Sequence, residues 1–169
     1  MKLIQAMKQI KDLQRKAEDL RTKVGQHCAD LNFETPLYPD QKQQIREWIQ
    51  AHSDLLKEIL RLRVAIQKTN LETDVTIELD GKQVTKSLAA WIHRRRDLAK
   101  LDADMWGKLG DRGLKEGSMQ TTQGVTTDVK IRRYFDPVER DKMLNAYRSE
   151  PLTIDSTLEV INAVTDLIE

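Results

Sequence analysis

Three groups of residues have types that could do chemistry: the adjacent His27 and Cys28, the histidines at 27, 52 and 93, and the run Arg94, Arg95 and Arg96. A thiol beside an imidazole suggests a nucleophile pair, because the ring can take the thiol proton. Adjacent helical residues point about 100° apart, however, and no motif places an Asp or Asn to orient the ring. Cys28 therefore reads as a small buried thiol near the end of a helix. The histidines lack the paired spacing of metal ligands, so no metal site is expected. "GKLGDRG" at 107–113 has glycines without the strand, spacing and terminal Lys-Ser/Thr of a phosphate loop, and reads as a mobile segment. No catalytic or cofactor-binding residue is assigned, and the expectation is a protein that is not an enzyme.

The arginines suggest recognition instead. Arg94, Arg95 and Arg96, with Lys130, Arg132 and Arg133 on a later strand, would form a phosphate-binding patch for nucleic acid. Against this, three consecutive arginines splay over most of a helical turn, Asp97, Asp102 and Asp104 lie close by in sequence, and arginine stems commonly cover helix seams. The whole chain has 28 basic and 27 acidic side chains, so no global field draws a polyanion or a membrane. Aromatic residues are 5% of the chain, too few for an aromatic-lined pocket or an extended base-stacking surface. The single cysteine rules out an internal disulfide framework and fits a reducing compartment. "MKLIQAMKQIKDLQRK" mixes charge into every turn and reads as neither signal peptide nor membrane span. The expected setting is cytoplasmic or virion, with no membrane partner.

The elements that position these residues are mostly helical. Leu3, Ala6, Ile10, Leu13, Ala17, Leu20, Val24, His27 and Leu31 recur in alternating steps of three and four, which predicts a helix over about 2–31 with a heptad seam. "NFETPLYPDQ" breaks it, Asp40 is a candidate N-cap, and Ile45, Trp48, His52, Leu55, Ile59, Leu62 and Ile66 form a second seam. Read antiparallel, positions 6, 10, 13, 17, 20, 24 and 27 meet 66, 62, 59, 55, 52, 48 and 45. That register sets Ala17 against Leu55 and Ala6 against Ile66, small against large, as interdigitating layers require. The second helix also carries Ile49, Leu56, Leu60 and Val64 off its seam, which must face a third element and are the candidate oligomer interface.

"DVTIELDGKQVTKS" predicts a two-stranded ribbon around Asp80-Gly81, with Thr85 or Ser87 capping a third helix whose stripe is Leu88, Trp91, Leu98, Leu101 and Met105. Five of the seven glycines fall in 107–124, a predicted loop, and "VTTDVKIRRYF" predicts a short strand beside the first ribbon. Asp136-Pro137 opens a helix, "SEP" at 149–151 interrupts it, and Ile154, Leu158, Ile161, Val164 and Ile168 predict a terminal helix that covers the outer row of the second. The predicted fold is mainly α: a long antiparallel helical hairpin (coiled coil) plus a small β-ribbon or sheet and additional packed helices. It forms one domain, with the hairpin at 2–69, the ribbon, third helix, loop and strand at 73–135, and C-terminal helices at 136–169.

From residue 60 onward, "TN" at 69–70, "LDG" at 79–81, the arginines before "DLAKL", "TTDVKI" and "IDSTLEVINAVTDL" resemble the septicolysin-like family of small helical proteins of unknown function, which has phage-borne members. The resemblance implies a long helical hairpin with short strands and self-association, and brings no catalytic residues. The functional expectation is a non-enzymatic structural or assembly protein acting as a homo-oligomer, in the setting of a bacteriophage virion and its other proteins. The alternative is a nucleic-acid-binding accessory protein that uses the arginine patch.

Overall fold

The computed structural model describes residues 1–168 and is mainly helical, with two small two-stranded antiparallel sheets. Helix α1 (Leu3–His27) buries Leu3, Ala6 and Ala17, and half-buries Ile10, Leu13, Leu20, Val24 and His27. Every predicted seam position within the helix is thus withdrawn from water. Leu31 is not: it lies beyond the helix and is 58% exposed. Its backbone N–H donates to the Glu34 carboxylate instead of to a helix carbonyl, closing a turn that the prolines then extend. Helix α2 (Gln41–Glu72) starts on Asp40, whose side chain accepts from the Gln43 N–H, and buries Trp48, Ile59, Leu62, Ala65 and Thr69. Helices α1 and α2 pack on each other.

By its internal contacts the chain divides into two compact units, Met1–Asp74 with the segment from Leu158 onward, and Val75–Thr157. In the first, the two chain ends are tied together. Leu3 N–H donates to the Thr165 carbonyl at 3.0 Å, Leu167 N–H to the Met1 carbonyl at 2.7 Å, and Ile168 N–H to the buried Thr69 hydroxyl at 2.8 Å. The helix predicted to run on to Ile168 ends at Val164, because the last residues spend their amides on this pairing.

In the second unit, β1 (Asp74–Leu79) and β2 (Lys82–Ser87) form the predicted ribbon. Asp80 and Gly81 take φ of 49° and 74°, the two left-handed positions of a tight hairpin turn. Val75 and Ile77 are buried, and the Val75 carbonyl accepts from the indole of the fully buried Trp91 at 2.8 Å. Ser87 caps α3 (Leu88–His93), which continues through a π-helical turn (Arg94–Leu98) into α4 (Ala99–Trp106). That turn corrects the predicted stripe. Leu98, Leu101 and Met105 are 45%, 60% and 71% exposed, whereas Ala99 and Ala103 are buried. A π turn inserts one residue into the helical repeat and so rotates every later side chain by one position.

Two further corrections follow. Strand β4 (Thr126–Val129) pairs antiparallel with β3 (Gly117–Gln120), not with the first ribbon, and so draws part of the predicted glycine-rich loop into a second hairpin. "GSMQ" has no alternation to announce a strand, and both strands are exposed on both faces. Helix α5 (Pro137–Val164) runs uninterrupted through Ser149-Glu150-Pro151. Pro151 forfeits one backbone hydrogen bond, but Glu150, Ile154 and Leu158 around it are buried, and that burial holds the helix together.

Candidate functional site

Arg94 stands at the π turn with only 16% of its side chain exposed. Its Nε and Nη2 donate to both oxygens of buried Glu150, at 2.5 and 2.8 Å, its Nη1 to Asp102, and its guanidinium carbon lies 5.3 Å from the Tyr147 ring centre. The Glu150 hydrogen bonds, opposed by desolvation and helped by Asp102, push the Arg94 pKa further above its ordinary range. Next to it a cleft of about 470 Å³ opens between the β1–β2 ribbon and α5. Its wall carries Glu78, Asp80 and Glu150 against Lys82, Lys86 and Arg94, so it selects neither anion nor cation by charge. Arg94 itself has its donors committed inside the protein and acts as a structural clamp.

The other predicted arginines are also engaged. Arg95 pairs with Asp155 at 2.5 Å and Arg96 with Asp97 at 3.1 Å. Arg132 and Arg133 line a different cleft, of about 300 Å³, with Lys108, Asp111, Arg112 and Tyr134. Arg133 grips Asp111 through two hydrogen bonds of 2.7 Å, which hold that carboxylate below the usual range and raise the guanidinium in turn. Arg132 lies 5.6 Å from the centre of the Tyr134 ring, which is 87% exposed. This cleft carries Lys108, Arg112, Arg132 and Arg133 against Asp111. It is the more basic of the two, and it includes Lys108, Arg112 and Tyr134, which the sequence reading did not single out.

His27 and Cys28 part company as the helical angle requires. The His27 ring centre is 5.8 Å from Trp48 and 6.2 Å from Tyr38, while Cys28 is exposed rather than buried, its Sγ 3.7 Å from the Gly25 carbonyl. Among the described residues no three His, Cys, Asp or Glu side chains converge to hold a metal ion.

The candidate interface residues are uncovered. Ile49, Leu56, Leu60 and Val64 are 55%, 49%, 62% and 55% exposed, and Leu71, on the same face and absent from the sequence reading, is 67% exposed. The C-terminal helix, predicted to cover this row, leaves it in water. Five large aliphatic side chains in one line are more than the scattered apolar residues any surface carries.

No family profile and no curated protein matches the chain. One solved crystal structure, of a functionally unknown conserved protein from Corynebacterium diphtheriae, is similar over 99% of both chains with a TM-score of 0.58 and 19% identity. At that identity the likeness bears on the fold alone. No helix among the described residues is long and apolar enough to cross a membrane.

Proposed function

We propose that this is a non-enzymatic structural or assembly protein that works as a homo-oligomer, built on an antiparallel coiled-coil hairpin of α1 and α2. The hairpin reading is supported by the His27–Trp48 contact at one end, and by a cleft that Leu20 and Val24 share with Trp48 and His52 farther along. The observation that carries self-association is the exposed row Ile49, Leu56, Leu60, Val64 and Leu71 on α2. Each of these side chains is about half exposed, so covering it is worth roughly 1 kcal/mol. Ten of them across two copies give about 10 kcal/mol gross, against an association cost of about 4–15 kcal/mol. The product is a reversible complex rather than an obligate one. A virion or a cytoplasmic assembly, in which many copies are held at high local concentration, suits such a contact, and a septicolysin-like relationship belongs to the same proposal.

Sedimentation velocity across micromolar to millimolar concentrations tests it. Wild type should associate with rising concentration, and replacing Leu56 and Leu60 with Lys should leave a folded monomer. A wild type that stays monomeric throughout overturns the reading.

A second reading, a nucleic-acid accessory role, is favoured by the Arg132–Tyr134 stack above the basic cleft. It requires affinity for an oligonucleotide that falls steeply with salt, because phosphate contacts release counterions. Binding indifferent to charge reversal at Arg112 and Arg132 removes it.

A further inference from the structure

The strands β3 and β4 bury nothing, so their pairing serves to bring together the segments on either side of them. Gly117 pairs with Val129, which sets the turn at 108–114 beside 131–135 and opens the cleft of about 300 Å³ at the base of the hairpin. Two further ties fix these walls. Arg133 holds both Asp111 oxygens, and Arg140, its guanidinium carbon 5.7 Å from the Phe135 ring centre, donates to the Leu109 carbonyl at 3.2 Å. The cleft is therefore formed before a ligand arrives, which lowers the ordering cost of binding.

Its charge is one-sided. Arg133 neutralises Asp111, leaving Lys108, Arg112 and Arg132, and among the described residues none of these three has a carboxylate within ion-pair distance. Glu116 and Asp136, in the adjoining chain, accept instead from the backbone N–H groups of Ile131 and Val138. Arg112 is also strained. It takes φ of 56° before Gly113 at 75°, in a turn closed by the Leu114 N–H on the Asp111 carbonyl at 2.8 Å, where Asn, Asp or Gly is the favoured residue. Strain of this kind points to a role for the side chain beyond the turn itself. Tyr134, 87% exposed and 5.6 Å from the Arg132 guanidinium carbon, adds a largely bare aromatic ring. Unpaired cations beside such a ring match a ligand whose anionic group is joined to a flat one. We propose that this cleft binds a nucleotide, its phosphate against Lys108, Arg112 and Arg132 and its base stacked on Tyr134. About 300 Å³ is at the small end of ligand sites and leaves room for one nucleotide rather than a dinucleotide. The inference deepens the second reading above and is independent of self-association.

A free nucleotide and one unit of a single strand share this chemistry, and two probes separate them. Adenosine monophosphate is titrated calorimetrically, and a labelled single-stranded DNA of about eight nucleotides by fluorescence anisotropy, both at ~50 mM salt. For whichever probe binds, Tyr134→Ala should weaken affinity at least about five-fold and Tyr134→Phe should retain it. Arg112→Gln should cost about ten-fold, and Arg96→Gln, outside the cleft, nothing. All three positions are exposed, so the variants should fold, which an unshifted Tm checks. This pattern with the strand alone assigns the site to nucleic acid; with the mononucleotide alone it upholds the proposal and removes the nucleic-acid reading. If charge reversal at Arg112 and Arg132 weakens the strand while Tyr134→Ala does not, and the mononucleotide fails to bind, the nucleic-acid reading survives and the nucleotide site falls. If neither probe binds, both fall. Inorganic phosphate binding as tightly as the mononucleotide, or phosphotyrosine more tightly, also overturns the proposal.

Discussion

Removing the Glu150 carboxylate should unlock the second unit. Glu150 is 6% exposed, and it accepts two hydrogen bonds from an Arg94 side chain that is itself 16% exposed. Losing one member of such a pair strands the other, at a cost of about 3–5 kcal/mol. Asp102 still reaches Arg94 but is 47% exposed and holds it less firmly, so Glu150→Ala should sit near the lower end, about 3 kcal/mol. For a chain of this size that corresponds to a fall in Tm of roughly 6–12 °C, read by circular dichroism. Replacing both members, Arg94→Met with Glu150→Leu, should recover most of the loss, because the cost lies in the stranded charge rather than in the missing attraction. A double-mutant cycle measures this, with expected coupling well above the ~0.5 kcal/mol error of additivity. If Glu150→Ala costs under about 1 kcal/mol, as exposed pairs do, and the cycle closes to zero, the clamp is not structural and Arg94 is free for another role.

Ala17 is 5% exposed, so Ala17→Trp should overpack α1 against α2 and cost about 1–3 kcal/mol, while the same change at exposed Gln14 costs little; equal melting shifts would refute the seam. Pro151 lies inside α5 without an N–H to donate, so Pro151→Ala should raise Tm, by as much as about 3 kcal/mol in stability, and a fall would mean the ring itself is needed for packing. Arg133→Met should move the Asp111 titration midpoint up toward the ordinary carboxylate range, as followed by NMR, because the Arg133 hydrogen bond is the main cause of its depression. The contribution of Asp111 to stability is present above the usual carboxylate range and is lost as pH falls through the depressed value, and an unmoved midpoint would refute the pairing.

Local chemistry was legible wherever a short window carries its own cause. Asp40 and Ser87 cap helices, Asp80-Gly81 turns a hairpin and Pro137 opens a helix because each acts on a backbone group within three residues. The buried faces of α1 and α2 were legible because their apolar side chains recur over many turns, so one exception such as Gly25 does not erase the pattern. What the sequence hid was decided at a distance. Glu150 sits in a stretch that reads as a helix stop, and nothing within ten residues of it announces that its carboxylate belongs to Arg94, 56 residues earlier.

The π turn joins these two failures. It carries Arg94 as its first residue, and it displaces the buried face of the following helix by one position, from Leu98 to Ala99. A sequence pattern read at constant period cannot register an inserted residue, so the predicted stripe is right before Arg94 and wrong after it. Small side chains at Ala99 and Ala103 then take the inner face, while Leu98, Leu101 and Met105 are turned into water. That is a costly arrangement for a helix unless something holds it. The Glu150–Arg94–Asp102 cluster is placed to do so, tying the first residue of the turn both to α5 and to α4. The same mutation that strands Arg94 should therefore do more than destabilise: with the clamp gone, the helix can return to a regular repeat that buries Leu98 and Leu101. Glu150→Ala should then show altered amide chemical shifts concentrated in Arg94–Trp106, and shifts spread evenly over the unit would show that clamp and turn are independent.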